Sequence, residues 1–271
     1  MQRHVEPRWE DIPPMAERWQ PDRACGIFET LLVVAGEAVE LEGHLARFGR
    51  SLLDLYGTEL PAEARLQIRA VAAPFELGRL RLTAVPRSER PGLDLEAEAN
   101  PLDPAIMFPA SGAALRRVER RGGHGPYKWI DRRGMEHPDD SPGQLICDGD
   151  EPLEAGWANL FAVREETLWT PPIDGRLLPG LARAAVLAIA DEEGLPTAER
   201  PLRTEDLYTA EETFLTNSIR GIEPAIELDQ QPLAGAGPVT HRLAAALHQR
   251  WNLPGALQAA AAAPKADQLS H

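Results

Sequence analysis

Between Glu154 and Arg183 the chain reads EAGWANLFAVREETLWTPPIDGRLLPGLAR. Two short apolar runs, NLFAV and TLWT, flank the polar REE, and a Pro-Gly pair then leads straight into LARAAVLAIA. That order forces a hairpin feeding a helix. It also sets a carboxylate among small residues at one end and a helix start at the other, which a hairpin alone does not need. Elsewhere strands and helices mix in both halves without strict strand-helix-strand alternation. The expected class is therefore α/β in the mixed, α+β sense.

The spacing predicts a buried strand over IFETLLVV (27–34), a turn and a returning strand through AVEL. A helix follows over 42–56, with Leu45, Phe48, Leu52 and Leu53 on one face. A second helix lies in PAEARLQIRAVAA and a strand in RLRLTAV, and the Pro-rich, acidic stretch 86–104 reads as a loop or irregular edge. RRVERRGGHGPYKWIDRRG reads as a connection between lobes. Strands are expected at QLICDGD, ETFLTNS and PAIELD, and a closing helix at VTHRLAAALHQRW. These elements divide into a small N-terminal domain (1–115), a connection (116–127), a larger C-terminal domain (128–255) and a flexible tail (256–271).

The net charge of −14 disfavours nucleic acid as a partner, although arginines at 116–121 and 132–133 leave room for a small anion. Two cysteines and seven histidines show no metal-ligand spacing, so no metal is expected. No apolar run approaches the roughly 18 residues of a membrane span. The opening MQRHVEPRWEDIPPMAERW lacks a signal-type apolar core, and a reducing cytoplasm fits the cysteine count.

Several residues carry chemistry if they converge. Lys128, after GGHGPY, alternates with Trp129 and so points away from it. If it faces inward, burial favours its neutral amine, which can condense with an aldehyde. Glu154 could pair with a protonated ring nitrogen. Gly180 opens a helix whose free N–H groups suit a phosphate. Ser218 could add a hydroxyl, and Arg47 a forked cation. His124, in the glycine loop, could approach a substrate. Taken singly, these read more readily as an edge lysine, a surface glutamate, a helix start, a turn serine, a surface arginine and a loop histidine.

Their order decides between the readings. Glu154, Ala155, Asn159, Leu160, Phe161, Leu168, Thr170, Leu178, Gly180, Leu181 and Arg183 fall on every fixed position of a run that resembles the signature of class IV aminotransferases, the fold type IV pyridoxal-phosphate enzymes. GIFETLLV, HLARF, YKWIDR and FLTNSIRGIEP extend the resemblance from about residue 22 to 251. It implies two lobes with pyridoxal 5'-phosphate in the cleft between them, and a homodimer. Lys128 would hold the cofactor and move protons, and Glu154 would meet the pyridine nitrogen. Arg47, Ser218 and the N–H groups of Leu181, Ala182 and Ile219 would bind the phosphate. Ala182 stands where threonine is frequent, and ACGIFET replaces the more usual GDGLFET. Within the family, KWIDR and LTNSIRGIEP are most similar to aminodeoxychorismate lyases, which release p-aminobenzoate and pyruvate in the folate pathway. An aminotransferase of branched-chain or D-amino acids is the alternative. Arg220 and Arg132 are candidates for the carboxylates of a small anionic substrate.

Overall fold

The computed structural model describes residues 20–89, 91–133 and 142–254. The stretch 256–271, read as a tail, lies outside the described residues. A small antiparallel sheet comes first, built from β1 (Ile27–Val34), β2 (Glu37–Ala38), β3 (Leu77–Pro86) and β4 (Leu93–Pro101) in the order β2-β1-β3-β4. Helices α1 (Leu41–Tyr56) and α2 (Glu63–Ala72) pack on it. Ile27, Leu31 and Val33 of β1 join Leu45, Phe48, Leu52 and Ile68 in one core. The alternate residues Leu32 and Val34 enter a second core with Phe161, Val186, Phe214 and Leu243. β1 is thus buried on both faces, which is why its sequence is almost wholly apolar.

Three expectations change here. Leu53 is 55% exposed, because one residue beyond Leu52 rotates the side chain by about 100° around the helix, off the buried stripe. The returning strand is only Glu37–Ala38, since the chain turns into α1 at Leu41. The stretch 86–104 is not a loop. It contains β4, which pairs with β3 over its whole length, from Leu93 opposite Pro86 to Pro101 opposite Gly78. Leu93, Leu95, Ala97 and Ala99 turn to the small core while Asp94, Glu96 and Glu98 face out.

The second sheet begins with β5 (Ala113–Glu119), so Arg116–Glu119, read as the start of a connection, belong to a strand. Ala113 and Leu115 are its buried residues. β6 (Gly143–Asp148), β7 (Glu151–Ala155), β8 (Ala158–Arg164), β9 (Thr167–Thr170), β10 (Thr197–Glu199), β11 (Glu212–Asn217), β12 (Gly221–Leu228) and the short β13 (Gln231–Pro232) complete it. The order is β10-β9-β8-β11-β12-β5-β6-β7, and β7 pairs back onto β8. Six strands, β8, β11, β12, β5, β6 and β7, therefore close a ring. Small residues such as Ala113, Ala155, Ala158, Ala162 and Ala225 fill its interior with Leu115, Leu145, Leu160 and Leu215. Leu207 of a short helix α4 (Thr204–Tyr208) joins them. On the outer face, α3 (Leu181–Glu192) and α5 (Pro238–Arg250) cover Phe161 and Phe214, whose rings stack 5.0 Å apart. No helix of the described residues is long and apolar enough to cross a membrane.

Candidate active site

The seam that closes the ring is two residue pairs long, Glu154 opposite Asn159 and Ala155 opposite Ala158. Directly opposed residues of an antiparallel pair point to the same face. Ala155 and Ala158 go inward, so Glu154 and Asn159 face out, toward the start of α3. Both are buried, and together they grip the backbone of one residue, Leu178. The Leu178 N–H donates to Glu154 Oε2 at 3.2 Å, and Asn159 Nδ2 donates to the Leu178 carbonyl at 2.9 Å. The loop into α3 is thereby fixed to the seam. Gly180 caps α3 with no side-chain partner, which leaves the first N–H groups of the helix unpaired within it.

Lys128 comes from the glycine-rich segment. The Phe28 N–H donates to its carbonyl at 2.9 Å, and the Ile130 N–H donates to Gly26 at 3.0 Å. Trp129 bridges Ile27 and packs into the small core. Lys128 points the other way, into a slot also lined by Arg47, His124, Glu154, Gly180 and Ser218. Its Nζ lies 5.0 Å from the centre of the Phe28 ring, on which the guanidinium carbons of Arg81 and Arg132 also rest, at 4.0 and 5.2 Å. Burial draws the amine down to about 7; Glu29 opposes this, while Arg47, Arg132 and Arg81 add to it. Burial pushes Glu154 up to about 8 against the pull of the Leu178 N–H, Arg132, Lys128 and Arg47. An acid and an amine thus share one slot with both charges disfavoured by desolvation.

The other expected residues fall as follows. Leu181 and Ala182 line the slot at the helix start, and Arg47 donates from NH1 to the Pro179 carbonyl at 2.8 Å. The Ile219 N–H, assigned above to a phosphate, donates to Asn217 Oδ1 at 2.9 Å. His124 is buried and driven down to about 3 by burial and by Arg120 and Arg132, so it is neutral near pH 7. Arg132 donates to the Gly156 carbonyl at 2.8 Å, and Arg220 pairs with Glu223 at 2.5 Å. Lys128, Arg132 and Ser218 also border a wider outer cavity of about 790 Å³, lined by Phe28, Arg79, Ile106, Trp157 and Arg220 among others. Among the described residues no group of side chains is arranged to hold a metal ion.

Some participants carried no assignment in the sequence reading. Asn159 was recognised only as a fixed position, and its side chain anchors the loop. Arg183 likewise donates to the Pro171 carbonyl at 2.9 Å and pairs with Glu199 at 2.6 Å, and Thr170 donates to the Leu160 carbonyl at 2.8 Å. Phe28 and Arg81 escaped notice, although IFETLLVV and RLRLTAV alternate clearly enough to put Phe28 on the face opposite Glu29.

Comparison with known proteins bears on this geometry. Residues 144–228 match the model of the amino-transferase class IV family, a stretch that runs from β6 to β12 and holds the seam, the loop and the start of α3. A hypothetical aminotransferase from Mycobacterium tuberculosis, solved in its PLP-bound form, superposes with a TM-score of 0.75 at 20% identity, over 88% of this chain and 94% of that one. This is a class IV aminotransferase fold. The 4-amino-4-deoxychorismate lyase of Pseudomonas aeruginosa shares it, with a TM-score of 0.70 and 27% identity over 88% of this chain and 97% of the lyase. Among curated relatives, the branched-chain-amino-acid aminotransferase of Escherichia coli K12 is 37% identical over 92 residues, 33% of this chain and 30% of that protein. The chain thus matches about a third of the length of that relative.

Proposed function

We propose that the chain is a pyridoxal-phosphate-dependent lyase that converts 4-amino-4-deoxychorismate to p-aminobenzoate and pyruvate. The residues present fit the cofactor. The Lys128 amine makes no hydrogen bond or ion pair with the described residues, and burial draws it down to about 7. Glu154 is a buried carboxyl with a single backbone donor, and a cationic ring nitrogen would favour its ionised form. The bare helix start, Arg47 and Ser218 are suited to a phosphate. When bound, the cofactor supplies an aldehyde that captures amines and a ring that accepts electrons.

The observation that carries the lyase reading is the outer cavity. At about 790 Å³ it has room for a ring-bearing substrate, and Arg79, Arg132 and Arg220 line it beside Phe28 and Trp157. Cations next to aromatic faces suit a cyclic dicarboxylate better than a small aliphatic amino acid. In this reading Lys128 would hold the aldehyde until the substrate's amine displaces it, and the freed lysine amine would then take the proton from the ring carbon bearing the substrate nitrogen. Loss of that proton with the enolpyruvyl group leaves an aromatic ring, so no second substrate is consumed. Arg132 and Arg220 orient the carboxylates, and His124, being neutral, serves as a hydrogen-bonding wall rather than a charge.

The names of the sequence relatives favour a second reading, an aminotransferase of branched-chain or D-amino acids. They include the E. coli enzyme above and a D-alanine aminotransferase from Listeria monocytogenes, 28% identical over 113 residues. One assay separates the two. Pyruvate and p-aminobenzoate released from aminodeoxychorismate with no keto acid present are expected, with loss of turnover in Lys128→Ala. Turnover that requires an added keto acid would replace the lyase by the aminotransferase. Full activity in Lys128→Ala would remove the role given to that lysine.

A further inference from the structure

Glu29 is the one carboxylate in the apolar run of β1, and it is only 2% exposed. Its neighbours on the same face, Ile27 and Leu31, lie in the small hydrophobic core. A buried acid there must be fully partnered. Its Oε1 accepts from Arg47 Nε at 2.8 Å, and its Oε2 accepts from Arg47 NH2 at 2.6 Å and meets His44 Nδ1 at 2.8 Å. The fork is therefore held on two nitrogens, and the third, NH1, reaches the Pro179 carbonyl just before the start of α3. Burial alone would raise Glu29, but Arg47 and His44 hold it well below the usual carboxylate range, so it is an anion.

Electrostatically this acid is badly placed. A fixed negative charge behind Arg47 cancels part of the attraction that a phosphate would feel. What it returns is geometry: an arginine held by a bidentate partner has a set plane and direction. We propose that Glu29 is a positioning residue, holding Arg47 in the orientation that grips a phosphate at the start of α3. The inference rests on the cofactor reading above and adds to it which residue assembles the grip.

The magnitudes favour orientation over repulsion. One well-aimed hydrogen bond to a charged group changes affinity by about 10–100-fold, whereas the charge of Glu29 is already largely compensated by Arg47. The test is equilibrium binding of pyridoxal 5'-phosphate and of pyridoxal, which lacks the phosphate, to cofactor-free wild type, Glu29→Gln and Glu29→Asp. Melting curves check that the variants are folded. Glu29→Asp keeps the counter-charge that a buried Arg47 needs but is too short to span both nitrogens, so it keeps the test open if Glu29→Gln does not fold. Both variants are expected to bind pyridoxal phosphate roughly 10–100-fold more weakly, with pyridoxal affinity within about twofold of wild type. Unchanged or tighter phosphate-ligand binding would overturn the inference, as would an equal loss for both ligands, which marks a merely structural role. A wild-type protein that captures neither ligand would instead overturn the cofactor reading itself.

Discussion

The loop that enters α3 allows a quantitative test. A Cβ added to Gly180 would sit 1.8 Å from Asn159 Oδ1 and 3.0 Å from its Cγ. The backbone there has φ −69° and ψ 137°, which any residue adopts, so the obstacle in Gly180→Ala is contact and not conformation. Asn159 cannot swing aside freely, because it is buried and its Nδ2 holds the Leu178 carbonyl. Forcing an extra methyl into a packed site costs about 1–3 kcal/mol. Breaking the Asn159–Leu178 bond adds about 1 kcal/mol. The sum, roughly 2–4 kcal/mol, corresponds to a fall in Tm of roughly 4–16 °C for a protein of this size. The decisive measurement is a double-mutant cycle followed by thermal melting. Asn159→Ala alone leaves the Leu178 carbonyl unpaired and should cost about 1–3 kcal/mol. In that background the added methyl keeps only an ordinary contact with Arg183 Cβ at 3.4 Å, so the double variant should melt within a degree or two of Asn159→Ala. If the two losses simply add, or if Gly180→Ala melts like wild type, the account of how the seam fixes the loop is wrong.

Further predictions concern charge and stability. Because burial draws Lys128 down to about 7, covalent capture of pyridoxal phosphate by the cofactor-free protein should rise as pH passes through 7 and then level off; an inflection near 10 would refute the buried amine. The same depression makes the unfolded chain bind the more protons between about 7 and 10.4, so this lysine's contribution to stability improves with pH across that window. Away from the site, the Glu212 carboxylate accepts from the N–H groups of Val239 and Thr240 at 2.9 and 2.6 Å and so caps α5. Glu212→Ala should lower stability by about 1–3 kcal/mol in denaturant titration while leaving cofactor affinity unchanged.

What the sequence disclosed and what it hid divide along a physical line. β1, α1, α3 and α5 were legible because their periodicity is strong and their length is typical. β4 was misread for a specific reason: LDLEAEAN alternates without a break, but its outward acids and flanking prolines resemble a loop by composition. Alternation was the better witness, since it reports which face is buried. β5 was lost the same way, with Arg116 and Arg117 outside and Leu115 inside. In the site, Lys128, Glu154 and the start of α3 could be named because a local run of residues marks them. Glu29 could not, since its meaning depends on Arg47, His44 and Pro179, which lie 18, 15 and 150 positions away and meet only in the fold. Even so, one local signal was available. An acid within eight otherwise mostly apolar strand residues must either break the strand or find a cation on the packed face. The helix laid on that face begins at Leu41, just after the β1–β2 hairpin, and carries His44 and Arg47 on adjacent turns. Periodicity read together with unpaired charge would therefore have reached the grip that the local signature alone did not.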